Sequence, residues 1–370
     1  MKALVLKENL TRALSVIGRN ISTKPQIPIL ANVLLKGKEG KLILAATNLE
    51  TGVSLSIGAK IDEEGEISVP ARLFSEFITS ISGDKIELTS LEGKLEVKAG
   101  KGKGQFAGID AKEFPPFPAT DGQEKRMFKL ETINGSISRS SFAAATDEGR
   151  PVLTGIRINL STGKISFAAT DGYRLSLEEV VLSEEKEELQ IIIPAKSMQE
   201  MIRIAQDLKS EEIGLVLLKE KKQAVFFLTN CILYTRLIDG EFPKIEKIIP
   251  AMFKTKITID KEEFAQNVKS TSIFARGGAN IVKIKFGGDT LKIMANTPEL
   301  GTGENELEAK IDGEEGEIAF NYRFLLDLLN IFPGDQVVFE TNGALSPGVF
   351  KPASPTPNFL HIIMPVRIQE

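Results

Sequence analysis

The feature that most limits what this chain can fold into is that it repeats itself three times. The run LAATNLETGVSLS (44–56) returns as FAATDGYRLSLEE (167–179) and, more loosely, as IMANTPELGTGEN (293–305). Thr47, Thr170 and Asn296 hold the same place, a spacing of about 125 residues each time. Each copy reads as a hairpin, alternating apolar and polar residues around a turn at Asn-Leu, Asp-Gly or Thr-Pro. Farther on, a second block recurs as VPARLFSEFI (69–78), IPAKSMQEMI (193–202) and FNYRFLLDLL (320–329), with Pro70, Pro194 and Asn321 equivalent. A helix-opening residue followed by apolar residues at helical spacing makes each an amphipathic helix. A third block opens each unit, at 2–17, 126–142 and 254–270, where a short alternating strand runs into another helix. The first two units close on Glu-Phe-Pro, at 113–115 and 241–243.

A chain of 370 residues is too long for one ordinary core. The repeats divide it into 1–120, 124–246 and 250–370, with PATDGQEKR (118–126) and KIEKIIPAMFK (244–254) as linkers. Each unit runs strand, helix, strands, helix, strands. That order predicts an α+β fold, three repeated domains each with two helices packed on antiparallel sheets.

Several classes of function are disfavoured by composition. One cysteine, Cys231, allows no internal disulfide and suits a reducing cytoplasm. With one Cys and one His, a zinc site within the chain is not expected. The single His361 sits in the apolar FLHIIMP, where a buried strand position outweighs a catalytic one. No apolar run approaches the ~20 residues of a membrane span, and the opening MKALVLKENL does not read as a signal peptide. GKGQFA (102–107) imitates a dinucleotide fingerprint, but it lies among alternating strand residues and opens no helix. No metal and no cofactor are expected.

The middle hairpin sets Asp171, Tyr173 and Arg174 side by side, which invites an active-site reading. Its siblings carry Leu49 and Glu50, or Pro298 and Glu299, in the turn, and neither has a Tyr-Arg pair. A turn is therefore the original role of Asp171-Gly172. Asp171 also lacks a matched second carboxylate for acid–base work, so a hydrolase ranks third among the readings.

Net charge is −4, yet the helices lean the other way. Taken as 7–20, 71–82, 130–142, 195–209, 260–276 and 321–331, they hold twelve basic against nine acidic residues. Arg72, Lys196 and Arg323 recur in the first turn of the second helix of each repeat, where the helix dipole disfavours a cation. A slight positive excess suits loose, sequence-blind contact with phosphates.

The threefold repeat, TDGYRL at 170–175, KPQIPIL at 24–30 and MPVR at 364–367 together resemble the bacterial DNA polymerase III β subunit family, the sliding clamps. The resemblance spans the whole chain in order. It implies a DNA-clamp fold, closed head to tail as a homodimeric ring around double-stranded DNA, with helices lining the hole and sheets outside. It further implies a non-catalytic processivity factor that tethers the polymerase by topology. A hydrophobic cleft would take short linear peptides from DNA polymerase, clamp loader and repair proteins. By matching position the cleft comprises Leu153, Thr170, Gly172, Tyr173, Arg174, Leu175, Pro243, Ile248, Ile362, Met364, Pro365, Val366 and Arg367. An adaptable Met over an apolar floor suits varied ligands, although Leu175 and Met364 also fit ordinary core packing.

The same resemblance makes Lys24 and Arg150 candidate DNA contacts beside Arg72, Lys196, Arg203 and Arg323. Pro151 and Val152 stand where some members have aromatic residues near DNA, and Tyr173 where the family often has His. Three residues, Ile368–Glu370, follow Arg367. For the dimer interface, Lys98, Lys101, Lys103 and Phe106 on one sheet edge would meet Glu304, Glu306 and Glu308 on another, with Ile273 and Phe274 as its apolar part. The competing expectation is a non-ring scaffold that binds protein partners, with incidental DNA binding.

Overall fold

The computed structural model describes residues 1–22, 25, 27–182, 188–276, 279–297 and 301–367. Among them are two α-helices per repeat: α1 (Lys7–Gly18) and α2 (Ala71–Ser80), α3 (Leu130–Ser141) and α4 (Ala195–Asp207), α5 (Lys261–Thr271) and α6 (Tyr322–Ile331). Their starts agree with the sequence expectation to within a residue. The widest difference is at the end of α5, where Ser272–Ala275 tightens into a 3-10 turn.

The repeat is also written in the backbone. The first N–H of the opening helix has no partner inside its own helix. In every repeat the turn after the second helix satisfies it: Lys7 N–H donates to Asp84 O, Leu130 to Glu211 O and Lys261 to Asp335 O, each at 2.8 Å. Side-chain caps appear where the sequence offers them. Asp260 Oδ1 accepts from Glu263 N–H at 2.9 Å, and Asn321 Oδ1 from Arg323 N–H at 3.0 Å.

The chain packs as two compact units, Met1–Glu131 with Glu200–Leu237, and Thr132–Gln199 with Ile238–Glu370. The middle repeat is therefore shared between them. In the first unit, α1 buries Leu10, Leu14 and Ile17 and α2 buries Phe74 and Ile78, each worth about 1.5–3 kcal/mol. This unit holds a five-stranded sheet that ends on Gly102–Ala107 and an eight-stranded one. Within the larger sheet, Thr51–Gly58 of repeat one pairs with Cys231–Arg236 of repeat two, Val53 facing Leu233.

The second unit repeats the arrangement. Its nine-stranded sheet joins Arg174–Val181 of repeat two to Asn358–Ile363 of repeat three, with Ser176 facing His361. Its four-stranded sheet ends on Gly301–Glu308. All pairings within these four sheets are antiparallel among the described residues. One rule makes both joins: the strand after the hairpin turn of one repeat pairs with the last strand of the next. Among the described residues, Gly301–Glu308 of repeat three and Gly102–Ala107 of repeat one take part in no such join. Each is the outermost strand of its sheet.

Candidate functional site

The middle hairpin turns at Gly172, whose φ of +92° is left-handed and suits glycine. Asp171 Oδ1 accepts the N–H groups of Tyr173 and Arg174 at 2.9 Å, and Oδ2 accepts Arg174 Nε at 3.0 Å. Thr170 Oγ1 donates to Arg174 O at 2.6 Å and accepts from Gly172 N–H at 3.0 Å. The first hairpin makes the same bonds through Thr47 and Asn48. Asp171 is thus committed to its own turn, an Asx motif shared by a sibling with no Tyr-Arg pair.

Arg174 leaves that turn inward. Its Nη1 meets Asp327 Oδ2 at 2.7 Å, Nη2 donates to Phe142 O at 3.0 Å, and the guanidinium lies over Phe142 and Phe324 at 5.2 and 4.7 Å. Only 11% of the side chain is exposed. Tyr173 does the opposite, with 62% exposed, while its carbonyl accepts Met364 N–H at 2.8 Å. Val366 N–H donates to Ala319 O, also at 2.8 Å. Met364–Val366 is therefore fastened to the hairpin at one end and to the strand Gly316–Asn321 at the other.

Leu175 and Ile362 are buried, packed in one cluster with Ala168, Ile192, Phe242, Ile245 and Val349. Thr170 is buried beside them in sequence and sheet. Leu153, Pro243, Pro365 and Val366 are half-buried, and Ile248, Met364 and Arg367 are exposed. Residues 368–370, and with them the tail after Arg367, lie outside the described residues. Arg150, expected at DNA, lies against the hairpin: a Cβ built on Gly172 would come 3.0 Å from its Nη1.

His361 is fully buried, Nδ1 at 2.6 Å from Ser176 Oγ and its ring stacked on Phe142 at 5.1 Å. Burial, then the nearby Arg174 charge, holds its pKa well below the usual imidazole value. Ser176 is equally buried, so this Ser–His pair has no route to a substrate. Burial, reinforced by Glu200, pushes the Cys231 thiol up to about 12, which makes it inert at neutral pH. Among the described residues no group of acids, His and Cys could hold a metal, and no helix is long and apolar enough to cross a membrane.

Of the cations expected at DNA, Lys24 lies outside the described residues. Arg72, Lys196, Arg203 and Arg323 are exposed. Arg72 pairs with Glu76 at 3.0 Å and Arg203 with Glu200 at 3.6 Å. Along α1, a groove of about 720 Å³ is lined by Lys7, Arg12 and Arg19 but also by Glu8, Asp84 and Asp207.

At the expected seam, Lys101 is exposed. Lys103 pairs with Glu96 at 2.6 Å, and Glu304 and Glu306 with Lys292 at 3.7 and 2.9 Å. Phe106 is a core residue of the first unit, its ring edge-on to Phe74 and Phe77 at 5.5 Å. Ile273 is exposed, and Phe274 is half-buried over Gly303.

Sequence reading missed what holds the hairpin. Glu178, 1% exposed, accepts Arg139 Nε and Nη2 and Ser136 Oγ, all at 2.6 Å. Its signal was present, since an acid at an inward position of an alternating strand requires a partner. Asp327, alone in FLLDLL, gave a similar hint.

Two antiparallel seams, two helices in each repeat and a hairpin fastened to the chain's last strand define a three-domain α+β clamp fold. Family models for the N-terminal, central and C-terminal domains of the DNA polymerase III beta subunit match residues 1–118, 128–244 and 246–367. The chain belongs to the DNA polymerase III beta subunit family, the sliding clamps. It is 29% identical to the Beta sliding clamp of Synechocystis sp. over the full length of both chains. The solved DNA polymerase sliding clamp of Bacillus subtilis superposes with a TM-score of 0.95 at 26% identity, covering all of both chains. A DNA polymerase III subunit beta of Pseudomonas aeruginosa, solved bound to griselimycin, gives 0.91 at 26%, again over both whole chains.

Proposed function

We propose that two copies of this chain close head to tail into a ring around duplex DNA, as a non-catalytic processivity factor in the cytoplasm. The observation that carries this is the pair of unmatched edge strands. Two seams join repeat one to two and two to three, and a second copy would complete both the missing seams by the same rule. Carrying the register across, Val53 facing Leu233 and Ser176 facing His361 make the third pair Gly303 with Gly104 of the second copy. Glu304 then falls opposite Lys103 and Glu306 opposite Lys101, a complementary match. The domains would be 1–120, 124–246 and 250–370.

The cleft at the middle hairpin is the docking place for short peptides from polymerase, loader and repair proteins. A difference between two equivalent linkers supports it. Counting from the shared Glu-Phe-Pro, the first linker has Thr120 and Asp121 where the second has Ile248 and Ile249. At these two positions the second linker is apolar where the first is polar, and Ile249 packs on the second-unit cluster. The helix cations Arg72, Lys196, Arg203 and Arg323, with Lys24 and Arg150, supply exchangeable phosphate contacts, and the acids among them keep such contacts weak enough to slide.

The decisive experiment is retention on closed against linear DNA, with a clamp loader and ATP supplied. Protein held on a circle but lost on linearisation encircles the duplex. Equal retention on both, with a control clamp loading normally, would favour a monomeric scaffold. That second reading draws on the in-chain pairs Lys103–Glu96 and Lys292–Glu306, which already satisfy edge charges. Register is tested separately by Lys103→Cys with Glu304→Cys: directly opposed residues in an antiparallel pair suit a disulfide. Buried Cys231 does not compete.

A further inference from the structure

The first unit holds a counterpart of the apolar floor at the middle hairpin. Residues directly opposed across antiparallel strands share a face. In the second unit Thr170 faces Leu175, Leu175 faces Ile362, and Ile362 faces Val349. In the first unit the equivalent row runs Thr47, Gly52, Tyr234 and Val225. Tyr234 thus stands where the second unit has Ile362, and Gly52 where it has Leu175. The exchange is steric: a Cβ built on Gly52 would come 2.2 Å from Tyr234 Cε1. The Tyr234 hydroxyl lies 2.6 Å from Thr47 Oγ1, which fixes the ring across the row. Phe117 meets that ring edge-on, with centroids 5.0 Å apart.

Phe117 is an unusual core residue. Counted from the shared Glu-Phe-Pro it matches Ile245, which is buried, yet Phe117 itself is half-buried. It packs on two clusters at once, one around Ile29 and Phe114 and one around Val225 and Tyr234. The stretch that carries it, Pro115-Pro116-Phe117-Pro118, belongs to no helix or strand. Prolines hold such a stretch extended and lower the entropy lost when it is laid on a surface. An extended segment that sets one aromatic side chain on an apolar sheet face is seated as a bound peptide would be. We propose that this face of the first unit is a second docking site, for an extended peptide with an aromatic residue between prolines. Phe117 is its built-in occupant and keeps it shut. The site is separate from the cleft at the middle hairpin and does not require that cleft to bind peptide.

The chain has three tyrosines, Tyr173, Tyr234 and Tyr322, so fluorotyrosine labelling gives three fluorine NMR signals. Tyr234 reports this site, Tyr173 the middle hairpin and Tyr322 the buried core of the second unit. The probe is the blocked peptide Pro-Pro-Phe-Pro-Ala, the chain's own residues 115–119. In Phe117→Ala it should move the Tyr234 signal saturably, at about tenfold lower concentration than in wild type, where the tethered ring competes. Phe117→Leu keeps most of the packing; it should fall between, and it carries the test if the Ala variant does not fold. The same peptide with Ala for Phe should leave Tyr234 still. Melting temperatures establish that each variant is folded. A Tyr234 signal that stays put in folded variants, or that responds equally in variant and wild type, overturns the proposal and makes Phe117 ordinary packing. Tyr173 is read in the same spectra, so failure of the second-unit cleft to bind peptide is seen separately.

Discussion

Arg174 and Asp327 meet at 2.7 Å and tie the turn of the middle hairpin to the face of α6. The pair is unequal: the Arg174 side chain is 11% exposed and that of Asp327 is 50%. Arg174→Ala also removes the bond to Phe142 O and the stacking on two rings. It should cost about 2–3 kcal/mol in a denaturant titration. Asp327→Ala, which removes one half-exposed partner, should cost less than about 1 kcal/mol. Equal losses would mean that the ion pair, not the stacking and the backbone bond, carries the latch.

Glu178 and Arg139 give a sharper contrast, because Glu178 is buried. Arg139→Leu alone strands a carboxylate and should cost about 3–5 kcal/mol. Adding Glu178→Leu should recover part of that loss. A double variant less stable than Arg139→Leu would show that the pair's net contribution is favourable even against an apolar replacement.

His361 predicts an acid sensitivity with a definite sign. Its folded pKa is depressed, so below the unfolded value near 6.5 the unfolded chain binds a proton that the folded chain refuses. This contribution to stability is complete above about pH 6.5 and declines by about 1.4 kcal/mol per pH unit below it, until the folded pKa is reached. His361→Phe should flatten that slope and keep the stacking on Phe142. An unchanged slope between pH 6.5 and 5 would place the sensitivity elsewhere.

Reversing Lys101 and Lys103 to Glu should weaken self-association, with a larger effect at low salt. The change should be modest, since Lys103 already has Glu96 as an in-chain partner. Combining it with Glu304→Lys and Glu306→Lys should restore association. An unchanged dimer dissociation constant at low salt, measured by analytical ultracentrifugation, would remove these charges from the seam.

The repeat, the helices and the hairpins were legible because each depends on local periodicity that survives three copies. The turn role of Asp171 was legible for the same reason, through comparison with Asn48. Arg174 was not: its partners Asp327 and Phe142 are distant in sequence, and only the folded hairpin aims the guanidinium inward. Phe106 shows a related limit. Alternation says that Phe106 faces one side of its strand, but not that α2 already fills that side with Phe74 and Phe77.

The sharing of the middle repeat between two units has a consequence for how such a chain could have arisen. A lone ancestral repeat would carry one strand seeking a successor and one seeking a predecessor, so every join would have required a collision between separate molecules. Three repeats in tandem place both seams inside one polypeptide, where they form at any dilution. What would be a matter of concentration for separate repeats is a matter of folding here.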